Sequence, residues 1–276
     1  MKRGWKIFWI VSAAIAGMGI ILCSVSLMLG FSIEGYRTAY PDGIGIIKRG
    51  YHLKFDEEAT GDTAEVFRGI REISIDTDKV VVYVLADDTL TPGEVRVETA
   101  QMSGLKRNHI YKDEEELKIE IDRKYKVQND MEDAELYVYI AKEENAMEEL
   151  DAKVGIGVLY IEDIDIRDME IDASAGEAEV TNVNVNSLDA KAGAGEIVFS
   201  GSIRGEADVE CTVGRVELNL QNAKGEYDYE LKCGLGQVSI GEEKFGPSVN
   251  KKIYNQAGKT IEAECGLGEV TIDFEK

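Results

Sequence analysis

The chain has 276 residues, with 53 acidic against 31 basic side chains and a formal net charge of −22. That balance repels phosphate backbones and sets nucleic acid aside as a partner, while a hydrophobic content of 44% sets disorder aside. Two histidines leave little for metal or acid–base chemistry, and 3 prolines against 28 glycines fit a repetitive chain with many tight turns.

The first six residues carry Lys2, Arg3 and Lys6 and no acid, and an uncharged, mostly apolar run of 25 residues extends from Ile7 to Phe31. About 20 such residues cross a bilayer core as a helix. Trp5 and Trp9 stand where an interfacial aromatic belt would be. The expectation is a single-pass transmembrane anchor over residues 1–33, its basic N-terminus in the cytoplasm and everything after Ile33 outside. The rival is a cleaved signal peptide with Ser24-Val25-Ser26 as the cleavage site, but Leu27-Met28-Leu29 carries the apolar run past it. Leu22 just before Cys23 argues against lipid attachment there. With the anchor's three cations removed, the exterior part has 28 basic and 53 acidic residues, a balance of −25.

Residues 34–69 read as an extracytoplasmic tether, with a turn at Tyr40-Pro41-Asp42-Gly43 and no sustained helical period. From Ile70 to residue 149 apolar alternation appears irregularly, as in Ile73-Ser74-Ile75-Asp76, Leu117-Lys118-Ile119-Glu120-Ile121 and Leu136-Tyr137-Val138-Tyr139-Ile140. This section is expected to be β structure, continuous with the more regular residues 150–276 and capping their end. A separate β-sandwich is the alternative. Only Glu143 to Leu150 suggests a helical turn.

Residues 150–276 carry a repeat. Six segments align, starting at Leu150, Ile171, Leu188, Ala207, Tyr229 and Ile261, with positions one, three and five apolar in each. Such period-two alternation marks a strand with one buried face. A turn and a second apolar alternation come next in each copy, for instance Leu159-Ile161, Ile197-Phe199 and Val270-Ile272. The starts are 21, 17, 19, 22 and 32 residues apart, and a period near 20 suits one coil of a solenoid. The expected fold of residues 70–276 is therefore all-β, a parallel β-solenoid whose coils stack on one another.

Four Gly-x-Gly sites, at Gly155/Gly157, Gly193/Gly195, Gly234/Gly236 and Gly266/Gly268, precede strand patterns and not helices, so they are no dinucleotide fingerprint. Positive φ at a coil corner is their expected role. Cys211, Cys233 and Cys265 share one repeat position and read as small buried core residues, with a single disulfide as the alternative. His52 and His109 are isolated, and Asp113-Glu114-Glu115-Glu116 reads as a solvated loop. No catalytic, metal or cofactor motif is present, and no cofactor is expected.

Two surfaces qualify as candidate sites. Repeat position two is acidic in all six copies, Asp151, Asp172, Asp189, Asp208, Glu230 and Glu262, and in-register stacking would make these a carboxylate column. Lys153, Lys191 and Lys232 at position four neutralise it in part, leaving a surface for a divalent cation or a cationic peptide. The long last spacing leaves extra residues between Gly241 and Lys259, where Lys244, Phe245, Lys251, Lys252 and Tyr254 form a candidate contact loop. The plainer reading of that loop is a hairpin covering one flank of the coils.

An N-terminal anchor ahead of units such as Leu188-Asp189-Ala190-Lys191-Ala192-Gly193-Ala194-Gly195-Glu196-Ile197 resembles the bacterial "putative adhesin" β-strand-repeat family of unknown function, over residues 70–276. The resemblance implies a surface-exposed, non-catalytic protein linked to adhesion or envelope stress, and it carries over no catalytic residue. The function expected is an anchored extracytoplasmic binding or scaffold protein, with a cell-envelope component among its candidate partners. The alternative is a carbohydrate-active enzyme on a β-helix scaffold, which would need paired carboxylates and aromatic platforms.

Overall fold

Alternating apolar residues make the strands of this protein, and stacking makes its core. The computed structural model describes residues 63–100, 105–123, 134–142 and 147–275, all within the unit Glu58–Lys276. The expected anchor, with Cys23, and most of the expected tether, with His52, lie outside the described residues. No helix among those described is long and apolar enough to cross a membrane.

The strands are β1 (Thr63–Arg68), β2 (Glu72–Asp78), β3 (Val80–Asp87), β4 (Glu94–Ala100), β5 (Leu105–Asp113), β6 (Glu116–Arg123) and β7 (Ala134–Ala141). Next come β8 (Met147–Val154), β9 (Val158–Glu162), β10 (Asp165–Ala173), β11 (Glu177–Ala192), β12 (Glu196–Cys211) and β13 (Arg215–Leu220). The last six are β14 (Tyr227–Cys233), β15 (Gln237–Ile240), β16 (Glu243–Phe245), β17 (Val249–Ile253), β18 (Lys259–Cys265) and β19 (Glu269–Phe274).

Two ladders organise them. The first runs β5–β6–β2–β8–β10–β11–β12–β18–β14–β17. The second runs β1–β4–β7–β3–β9–β11–β12–β13–β19–β15–β16. Long β11 and β12 serve both, bending where their register shifts near Thr181 and Ser187. Pairing is parallel throughout the middle and antiparallel only at the outer strands β1, β4, β5, β16 and β17, so the sheet is mixed but mostly parallel. An open parallel edge is a template for pairing, and antiparallel strands finish these edges.

The irregular N-terminal section is continuous with the repeats, because β2 and β3 pair directly with β8 and β9. That joins one sheet where a separate sandwich would need two. The β structure begins at Thr63, inside the stretch read as tether, where β1 pairs with β4. The helical turn expected over Glu143 to Leu150 is a strand where it is described. Met147 and Leu150 are buried in β8 between β2 and β10, and two ladders outweigh a weak local helical preference.

Register also corrects the repeat. Met169 stands beside Leu150 on one side and Leu188 on the other, and Leu188 stands beside Ala207. Each step is 19 residues, so the second copy begins at Met169 and not at Ile171. The error was two residues, one full strand period. Such a slip keeps every side chain on its own face, so alternation alone cannot detect it.

Coil order departs from chain order at both ends. Strands β2–β3 lie between β6–β7 and β8–β9. Likewise β18–β19, the last in the chain, lie between β12–β13 and β14–β15. The core is the inward rows of both ladders. Leu150, Met169, Leu188, Ala207, Ile261 and Tyr229 form one such row, all at most 3% exposed.

Candidate functional site: the outward acidic face

With register fixed, the position-two column reads Asp151, Glu170, Asp189, Asp208, Glu262 and Glu230 in spatial order. Glu170 takes the place expected for Asp172. Asp172 stands instead at position four, between Lys153 and Lys191. The other five predicted members share the column. Beyond Asp151 come Ser74 and Lys118, and beyond Glu230 comes Lys252, so a lysine closes the column at each end.

Neighbouring strands put these carboxylates about 4.8 Å apart along the face, where like charges repel. Lysines answer in part. Lys153 holds Asp151 at 2.8 Å, while Lys191 holds Asp189 at 2.7 Å and reaches Glu170 at 3.5 Å. Lys232 pairs with Glu262, and Lys252 meets Glu230 at 2.6 Å. In both Asp151 and Asp189 the second carboxylate oxygen, Oδ1, is shielded from solvent and has no hydrogen-bond partner. At Asp208 burial, then the Asp189 and Glu262 charges, push the carboxyl above the usual range, and Lys191 offsets only part of this.

Burial, with acidic neighbours, also raises Glu149, Glu162 and Glu177. A carboxyl whose folded pKa exceeds its unfolded value opposes folding when ionised, and that penalty is relieved as pH falls through the folded pKa. Asp87 and Glu226 run the other way. The Thr89 hydroxyl bond holds Asp87 down and the Lys259 bond holds Glu226 down, so their support disappears only below the ordinary range. The melting temperature should therefore rise as pH falls from 7 toward about 4.5 and drop below about 3.5. Thermal melts across that range check it, and a monotonic loss of stability from neutral pH downward contradicts it.

The contact-loop residues are placed as an end cap. Phe245 is buried in β16 with the Lys251 ammonium 4.6 Å from its ring centre, and Lys252 belongs to the column just described. Lys244 is exposed and Tyr254 is 70% exposed. The segment covers the last coil's edge and not a flank, because β16 and β17 pair with β15 and β14. His109 is exposed on β5 with Nδ1 3.6 Å from Glu120.

Glycines act at the corners through contact and not through positive φ. Of the eight predicted, only Gly157 has a positive φ, at 156°. At the third corner position each of the six repeat copies carries glycine: Gly157, Gly176, Gly195, Gly214, Gly268 and Gly236. A Cβ on Gly195 would stand 2.3 Å from the Gly176 carbonyl oxygen, so the backbones touch where a side chain would be. Gly176 and Gly214 were missed because no second glycine flanks them. Between the glycines, exposed Val213, Leu267 and Leu235 form a shallow surface patch with Arg215, Gln237 and Glu269.

The cysteines form a buried column in the order Cys211, Cys265, Cys233, all free. Burial pushes the Cys211 thiol up and the Cys265 thiol to about 11, which makes neither a ready nucleophile.

The sequence reading also missed a tyrosine stack on the second ladder. Tyr83 lies between Tyr137 and Tyr160, with ring centres 4.8 and 5.2 Å away and planes within 9° and 16°. Both faces of Tyr83 are covered, so its ring is no open platform for a sugar. Three Tyr at equivalent positions were the available signal, hidden because Tyr83 and Tyr137 lie outside the regular repeats.

Residues 70–275 match the family pattern described as Toastrack DUF4097. A solved structure described as a "putative cell adhesion protein" from Clostridium sporogenes is 14% identical, with a TM-score of 0.39 over 78% of this chain and 99% of that one. A "putative adhesin" from Bacteroides fragilis is 11% identical, with a TM-score of 0.35 over 79% and 98% of the two chains. Another "putative adhesin", from Parabacteroides distasonis, is 11% identical, with a TM-score of 0.39 over 76% and 96%. No curated protein matches the chain.

Proposed function

We propose a non-catalytic binding role for this chain, which belongs to the toastrack DUF4097 family. In this reading residues 63–275 are a parallel solenoid that serves as a rigid extracytoplasmic scaffold, held at the membrane by the apolar segment Ile7 to Phe31. Its first ladder presents the outward acidic face to a cationic partner, a basic peptide or a divalent cation. One observation carries the reading. Six carboxylates stand in register along one face, the lysines among them compensate their charge in part, and Asp208 is flanked by Asp189 on one side and Glu262 on the other. A charge array of that kind is repulsive when free, and a partner of opposite sign relieves it.

The enzyme reading has less support. Hydrolysis of a glycoside needs one carboxyl kept as an acid opposite another kept as a base, together with ring faces open to sugar. Each carboxylate in the column has its nearest acidic neighbours beside it on the same face and not opposite it across a cleft, and both faces of Tyr83 are covered by Tyr137 and Tyr160.

Two measurements on the full-length protein test the proposal. Protease added to intact spheroplasts should digest the region beyond Ile33. Affinity capture from envelope extracts should recover basic partners that salt elutes. Full protection of the C-terminus would overturn the anchored topology, and depolymerisation of an envelope polysaccharide by the purified protein would overturn the non-catalytic role.

A further inference from the structure

The last coil of the chain sits where the chain's own order would not put it. Strands β18 and β19 fill a slot whose walls are β12–β13 on one side and β14–β15 on the other, hydrogen-bonded in parallel to both. When β14–β15 leaves the ribosome, that slot has both walls and no filling. Each wall then presents a row of unpaired backbone groups, a template for any strand of matching pattern. The match is by columns: Ala207, Ile261 and Tyr229 align, as do Val209, Ala263 and Leu231, and then Cys211, Cys265 and Cys233.

The connection that delivers the coil is short and strained. Residues 254–258 lead from β17, on one side of β14, to β18 on the other. Gln256 in their middle has φ 58°, a left-handed conformation that a non-glycine residue adopts at a cost. The Asp228 carboxylate holds the bend by accepting from the backbone N–H of Asn255 at 2.6 Å and of Ala257 at 3.2 Å. Lys259 fixes its far end on Glu226 at 2.6 Å. With a bond from the Asn255 side-chain amide to the Tyr227 carbonyl at 2.7 Å, these few contacts oppose release, whereas the slot's ladder bonds and buried rows are identical whether the coil comes from the same chain or another.

From this topology we infer that the slot between β12–β13 and β14–β15 is an acceptor site for the C-terminal coil of a second copy of this chain. Exchange of β18–β19 between copies then links them through residues 254–258 acting as a hinge. The inference does not depend on the acidic face.

Connection length supplies the test. Ile253 pairs with Tyr229 and Lys259 with Tyr227, so the connection spans two strand spacings and two residues of offset, about 12 Å. Removing all of residues 254–258 joins Ile253 directly to Lys259, one Cα–Cα step of about 3.8 Å. The coil then cannot reach its own slot but can reach a neighbour's. Light scattering on the full-length deletion chain, in the detergent used for the wild type, should give at least twice the wild-type mass with β content retained. An unchanged mass overturns the inference. A second arm covers misfolding: two copies of the deletion chain with different tags, each offering both slot and coil, are co-expressed. Co-purification that Ile261→Asp in both copies abolishes is the expected result. Failure to co-purify, or capture that survives Ile261→Asp, overturns it.

Discussion

Gly214→Val is expected to cost more than about 3 kcal/mol and to remove cooperative folding of the coils around it. A Cβ at residue 214 would stand 1.9 Å from the Gly195 carbonyl oxygen and 3.0 Å from the carbonyl carbons of Ala194 and Gly195. The obstacle is the backbone of the preceding coil, so no side chain can rotate away. Relief would require the strands to separate, which breaks the ladder bonds from Arg215 to Gly195 and from Glu269 to Gly214. Gly246→Ala is the control: an added Cβ there meets nothing within 4 Å, and the effect should stay within about 0.5 kcal/mol. Urea unfolding of both variants checks the pair. Equal stability of the two would mean that the corners have room the geometry denies them.

Tyr227→Ala should cost about 3–5 kcal/mol, and Tyr227→Phe about 1–2. Tyr227 opens β14 with its side chain fully buried, and its hydroxyl donates to the Ile203 carbonyl at 2.7 Å. Ile203 belongs to β12, on the far side of β18, so this side chain bridges the two walls of the slot. Alanine leaves a ring-sized cavity and phenylalanine leaves a buried carbonyl short of its donor. Thermal melts should rank wild type, Phe and Ala in that order. A Phe variant as unstable as Ala would assign the whole effect to the hydrogen bond and contradict the packing argument.

Much of this molecule is legible in its sequence. Alternation at Leu188-Asp189-Ala190-Lys191-Ala192 predicts a strand with one buried face, and the structure has it, with Leu188, Ala190 and Ala192 all at most 2% exposed. Phase was not legible. Ile171-Asp172-Ala173 and Met169-Glu170-Ile171 both alternate, and only the register with Leu150 and Leu188 tells them apart, which is why Asp172 was placed in a column that belongs to Glu170. Coil order was not legible either, because columns of similar apolar residues make neighbours interchangeable. The one trace was the long spacing before Ile261, which holds β16, β17 and the crossover that carries the chain past β14. Four of the six corner glycines, Gly157, Gly195, Gly236 and Gly268, were found but for another reason than the one that selects them, since steric approach leaves no mark that differs from positive φ.

The acidic face is the centre of the functional account, and its charge can be titrated directly. The full-length protein is compared with a variant carrying Glu170→Gln, Asp189→Asn and Asp208→Asn, three consecutive members of the column. Binding of a polylysine-like peptide, and separately of calcium, is measured at low and at moderate salt. Each exposed ion pair contributes about 0.2–1 kcal/mol, so losing three should weaken the peptide about tenfold and flatten its salt dependence. Affinity that is unchanged by the three substitutions, or insensitive to salt in the wild type, would contradict the account.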